Sequence, residues 1–253
     1  MRTTAVAAVT LLAIGLGVCG CAVTQQQDTP VSQRYETDPV TGRGFYLYVP
    51  STYSHETLAK LIVTCHGTPP YDVAEHHIRE WKMLGEKNGC IVIAPKLVGT
   101  DGIFGSGPVG AMLRDEQWIL SIISTLGYRY NIDRNNIMIT GFSGGGFPTY
   151  WVGLRNPEIF SVVVARSTNF NANALNGWYS PSAKKTPVLV YRGENDPATI
   201  IDQSNKADAW LEENGFSHEY RVIQGLGHER RPEIAMEFFR NHWKTPQPTL
   251  GGK

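Results

Sequence analysis

The sequence predicts an α/β domain with a mostly parallel central sheet and helices on both faces. From Lys60 onward, short apolar runs of strand length alternate with longer amphipathic runs of helical period. The apolar runs are continuous rather than alternating, as strands covered on both sides require. The 253 residues show no internal repeat, and no Pro- or Gly-rich linker interrupts 33–245, so one domain with a full core is expected.

The elements follow in order. "RYETDPVTGRGFYLYVP" (34–50) reads as a hairpin, because two strand-like runs flank a Pro-Val-Thr-Gly turn and the second is rich in aromatic and β-branched residues. Strands are then expected at "LIVTC" (61–65), "CIVIA" (90–94), "NIMITG" (136–141), "FSVVVA" (160–165), "PVLVY" (187–191) and "EYRVI" (219–223). Helices are expected over 73–89, 113–130, 145–156, 203–215 and 231–243. The longest stretches without a clear element, 96–110 and 166–186, both follow strands. They should lie at the carboxyl edge of the sheet, where ligands bind in open α/β folds.

Composition narrows the classes of function. Lys+Arg and Asp+Glu are equal at 23 each, and no long like-charge run occurs, so no nucleic-acid partner is expected. The hydrophobic fraction of 42% is that of a globular chain.

The first 21 residues are a different object. Arg2 precedes an apolar run from Ala5 to Val18 that is short for a membrane span and fits an export signal. The "VCGC" that follows resembles a loose bacterial lipoprotein box with Cys21 as the lipidated residue. Cys19, which stands where a small residue is usual, departs from the pattern, and an ordinary signal peptide is the alternative. Residues 22–32 would be a polar tether, 33–245 the domain and 246–253 a flexible tail. The expected location is the cell envelope, with the membrane reached through the lipid. Of four cysteines, Cys65 and Cys90 remain in the domain. They end one strand and begin the next, so in a parallel pair they sit at opposite ends of the sheet, beyond the ~7 Å limit for a disulfide. Both are expected as buried thiols.

"GFSGG" (141–145) follows a strand and precedes a helix, the setting in which G-x-S-x-G marks a nucleophile elbow. There the serine sits on a strained turn, and flanking glycines avoid a clash as the chain reverses. A serine hydroxyl needs a base, and acid and histidine should follow it in that order. "GENDP" offers Glu194 and Asp196 after the next-to-last strand, and Asp196, with a short side chain fixed before a proline, is favoured. Among seven histidines only His228, in "GLGH", lies in a loop after the acid at the same sheet edge. The expected oxyanion donors are the backbone N–H of Gly144 and that of Thr68 in "HGTPP", with His66 structural.

These motifs, with "GRGFYLYVPSTY", Trp81, "LGEKNG" and "NIDRNNIMITGFSGGG", make Arg43–Lys244 resemble an α/β-hydrolase. It is similar to the polyhydroxybutyrate-depolymerase, feruloyl-esterase and acetyl-xylan-esterase branch. The resemblance implies an α/β-hydrolase fold, a Ser143–His228–Asp196 triad, no metal and no organic cofactor. Thr68-Pro69-Pro70 departs from the Gly- or Cys-rich oxyanion loop of many relatives, so specificity does not transfer.

The expected activity is hydrolysis of a carboxylic ester through an acyl-enzyme. A peptidase or amidase of the same fold and a catalytically inactive binding lipoprotein are the other readings. Residues 166–186 are mostly polar and too short in apolar helix to form a lid, so little or no lid is expected. Phe104, Phe170, Trp178 and Tyr179 are expected as walls of the substrate site, each with the competing role of core anchor.

Overall fold

The computed structural model describes residues 33–101 and 109–245. Cys19, Cys21, the leader, the tether, Phe104 and the tail 246–253 lie outside the described residues.

The N-terminal hairpin forms as expected from β1 (Arg34–Thr37) and β2 (Gly44–Tyr48), paired antiparallel. Next come β3 (Ala59–Cys65), α1 (Ala74–Asn88), β4 (Cys90–Pro95) and α2 (Val109–Arg129). The strand β5 (Ile132–Ser143) leads into α3 (Gly146–Arg155), and β6 (Val162–Thr168) into the single turn α4 (Ala172–Leu175). The chain ends with β7 (Val188–Gly193), α5 (Ala198–Glu213), β8 (His218–Ile223) and α6 (Pro232–Asn241). The eight strands run in the order β1-β2-β4-β3-β5-β6-β7-β8. From β4 to β8 every pairing is parallel, while β2 joins β4 antiparallel. This is the α/β-hydrolase fold.

Successive strand residues point to opposite faces, and both faces are covered. Leu61, Val63, Ile91, Ile93 and Ile139 pack with α2, α3 and α5, whereas Ile62, Val92, Met138 and Val164 pack with α1 and α6. The strand order reverses at β3: β4 lies on one side of it and β5 on the other. Such a switch opens a crevice at the carboxyl ends, and the serine stands at that edge.

Cys65 and Cys90 are both free and buried. The register explains it, since Cys90 pairs with Lys60, five residues before Cys65. At roughly 3.3 Å per residue the two sulfurs are far apart. Burial pushes both thiols up to about 12.

Candidate active site

Ser143 is the last residue of β5 and has φ 53°, a left-handed conformation unusual for a side-chain-bearing residue. The glycines around it are required by contact. A Cβ on Gly141 would lie 2.3 Å from the Gly145 carbonyl oxygen, and one on Gly145 would lie 2.4 Å from that of Cys65. The strand can therefore reverse into α3 only with hydrogen at both positions, and the N-terminus of α3 is left beside the serine.

The acid and base meet. His228 Nδ1 bonds Asp196 Oδ1 at 2.6 Å, with Asp196 buried and His228 partly exposed. The second carboxylate oxygen of Asp196 accepts from Gly193 N and Ser167 Oγ, both at 2.7 Å. With each oxygen engaged, the carboxylate is held in one orientation. Glu194 is exposed and turns away to accept from Gly225 N at 2.9 Å, which fixes the neighbouring turn. The imidazole of His228 lies against the ring of Phe142, the residue before Ser143, with centroids 4.5 Å apart. Among the described residues Ser143 and His228 share no hydrogen bond; such bonds often tighten only when substrate is present.

Gly144 and Thr68, the residues of the two expected oxyanion donors, lie close together. A Cβ on Gly144 would lie 2.6 Å from Thr68 Oγ1 and 2.0 Å from the Thr100 carbonyl oxygen. Thr68 Oγ1 donates to that same carbonyl at 3.0 Å. His66 has the structural role read from the sequence. Its Nε2 accepts Leu97 N at 3.0 Å, which leaves the proton on Nδ1 to donate to Gly67 O at 2.8 Å. Burial pushes this imidazole down to about 4, so it is neutral and ties the loop after β3 to the loop after β4. Asp115 of α2 holds the latter loop by accepting Val98 N and Gly99 N.

Three expected substrate walls are corrected. Phe170 is 5% exposed and packs edge-on against Tyr150 and beside Trp210, so it anchors the core. Tyr179 packs edge-on against Trp210 and Phe216, with its hydroxyl on Asn214. Trp178 is exposed, but its carbonyl accepts from Arg155, at the far end of α3 from the serine. A ten-residue helix is about 15 Å long, which puts Trp178 out of reach of the elbow. The 166–186 segment is thus consumed by the end of β6, by α4 and by a 3-10 turn at Pro181–Lys185, and it builds no lid.

Two groups escaped the sequence reading. Ser167, with φ 48°, is buried and supports the acid. Arg166, fully buried within β6, pairs with Glu80 of α1 at 2.5 Å. An arginine closing an apolar run reads as the start of a loop, and nothing in its neighbours signals a partner 86 positions away.

The fold and this arrangement define an α/β-hydrolase. The phospholipase/carboxylesterase family profile matches residues 116–246, over half of the chain, and the protein belongs to that family. It is 27% identical over 172 residues to a bifunctional acetylxylan esterase/xylanase of Neocallimastix patriciarum, covering 67% of this chain and 24% of that one. A probable carboxylesterase of Oryza sativa subsp. japonica is 30% identical over 129 residues, 46% of this chain and 45% of that one. The chain thus spans less than half the length of these curated relatives. Among solved structures, a ferulic acid esterase of Anaeromyces mucronatus superposes with a TM-score of 0.64 at 14% identity, over 83% of this chain and 88% of that one.

Proposed function

We propose that the protein is a serine esterase that hydrolyses short-acyl carboxylic esters, including those carried on carbohydrate or polymer. The observation that carries this reading is the 2.6 Å bond between His228 and Asp196, with the imidazole on the ring of Phe142, the residue before a serine held at φ 53°. In the proposed reaction Ser143 Oγ attacks the ester carbonyl while His228 takes its proton and then returns it to the leaving alcohol. Asp196 fixes the imidazole tautomer and stabilises the imidazolium. The N–H groups of Gly144 and Thr68 stabilise the tetrahedral oxyanion, where loss of one such donor costs on the order of 100-fold in rate. Water then releases the acyl group by the same steps.

Membership of the carboxylesterase family supports the bond type, and the acetylxylan esterase relative supports an acyl group on a sugar. The absence of a lid in 169–187 supports access for soluble substrates without interfacial activation. The test is turnover of soluble esters of graded acyl length, with Ser143→Ala as control. Activity should peak at about two to four acyl carbons, since each methylene a pocket cannot seat costs roughly tenfold or more. Activity retained by Ser143→Ala, or hydrolysis confined to peptide bonds, would overturn the reading.

Export and lipid attachment at Cys21 belong to the same proposal and are tested separately. Cys21→Ser should move the protein from the membrane fraction to the soluble one. The charged Arg2 and the apolar run after it support that expectation.

A further inference from the structure

Asp72 lies four residues after Thr68, is 5% exposed, and accepts four donors. Its Oδ2 takes Gly67 N and His77 Nε2, both at 2.8 Å. Its Oδ1 takes His76 Nδ1 at 3.3 Å and the Arg230 guanidinium at 2.6 Å. Burial alone would raise the pKa of this carboxyl. The hydrogen bonds from His77 and the Gly67 amide, with the charge of Arg230, outweigh burial and hold it well below the carboxylate range. Asp72 is therefore an anion at any working pH.

Arg230 stands two residues after His228. Its guanidinium lies 5.2 Å from the centre of the Phe142 ring, the ring against which His228 packs. Its carbonyl is pinned from below by Arg166 Nη1 at 3.1 Å and Tyr191 Oη at 3.0 Å. One side chain thus reaches from the histidine loop, across the residue before Ser143, to the aspartate that grips the backbone before Thr68.

We infer that Arg230 and Asp72 form a clasp that locks the histidine loop to the oxyanion loop, making both of them positioning residues for the reaction proposed above. Neither touches the reacting atoms. Each acts through a neighbour, Asp72 through the Gly67 amide and Arg230 through the ring that carries His228. An arginine is needed because its planar fork can bind a carboxylate and lie over an aromatic ring together, which an ammonium cannot.

The inference rests on the serine-hydrolase reading, so its test uses a probe that needs no natural substrate. A fluorophosphonate reacts as Ser143 Oγ bonds phosphorus, the P–F bond breaks, fluoride leaves and His228 receives the serine proton. Labelling rate is measured for wild type, Arg230→Gln, Arg230→Lys, Asp72→Asn and the Gln/Asn double variant, each checked for an intact cooperative melt. A misplacement of about 1 Å costs on the order of 100-fold, so each charge-removing variant should label 10- to 100-fold more slowly. Arg230→Lys should recover part of the rate. The double variant should be no slower than its slower parent, as expected of two residues serving one link.

On a short soluble ester the same variants should lose kcat while KM stays close to wild type. Folded Arg230→Gln labelling at the wild-type rate, or single effects that multiply in the double variant, would overturn the clasp. A wild type that labels yet hydrolyses no ester overturns the esterase reading instead, and the labelling series still decides the clasp. A wild type that takes no label overturns both.

Discussion

Asp196 and Glu194 lie two positions apart in one turn, and their surroundings separate their roles. Asp196 is buried, with one oxygen on His228 and the other on two donors, whereas Glu194 is exposed and caps a neighbouring amide. Asp196→Asn should leave the imidazole in the wrong tautomer and lower kcat/KM by ~10⁴-fold. Glu194→Gln should leave kcat/KM close to wild type, because its amide oxygen can still accept from Gly225. Steady-state kinetics on one soluble ester compares the two, and the reverse ranking would transfer the acid to Glu194.

At the scale of elements, the strands were legible because burial on both faces forces unbroken apolar runs, and the helices because one face alone is apolar. The elbow was legible because its reversal from strand to helix needs glycines at fixed offsets from the serine, a pattern carried within five residues. The segment between β6 and β7 was misread for the opposite reason. Phe170 and Tyr179 meet Trp210 and Phe216 only after α5 and the following turn have folded back, a contact no local pattern encodes. Arg166 was unreadable for the same reason, since it is tolerated inside only through partners distant in sequence, and the Asp72–Arg230 pair joins residues 158 positions apart. As a core anchor, Phe170 should behave as one. Phe170→Ala should cost about 3–5 kcal/mol of stability while each folded molecule keeps most of its turnover. Denaturant unfolding and activity per active site, titrated with fluorophosphonate, measure the two quantities. Selective loss of turnover with unchanged stability would restore Phe170 as a substrate wall.

For the molecule as a whole, the buried histidines set its response to acid. Burial pushes His66 down to about 4 and also lowers His77, in the latter case against the pull of Asp72. An unfolded histidine titrates near pH ~6.5, so below that the unfolded chain binds protons the folded chain refuses. The stability from neutral His66 is present above pH ~6.5 and is lost as pH falls toward about 4. Asp115 works in the opposite direction. Burial, resisted by the amides of Val98 and Gly99, raises it to about 6, so its contribution improves as pH falls through that value. The denaturation midpoint followed from pH 7 to pH 4 reports the sum. His66→Gln should flatten the acid-side fall, and Asp115→Asn should steepen it. Unchanged slopes in both variants would mean that neither group is coupled to folding.

The two sequestered thiols give the chain a built-in chronometer. Cys65 and Cys90 have no exposed surface, and their thiolates are suppressed to a pKa of about 12, so an alkylating reagent cannot reach them in the native state. They sit on the adjacent interior strands β3 and β4 and point to opposite faces, each sealed by a different set of helices. Carbamidomethylation of either one therefore requires the helical layer over it to open, and mass spectrometry of the two peptides times that event on each face separately. Equal labelling rates would mean that both helical layers are shed in one cooperative step. A faster rate at Cys90 would mean that α1 and α6 detach first, leaving the layer of α2, α3 and α5 still closed over Cys65.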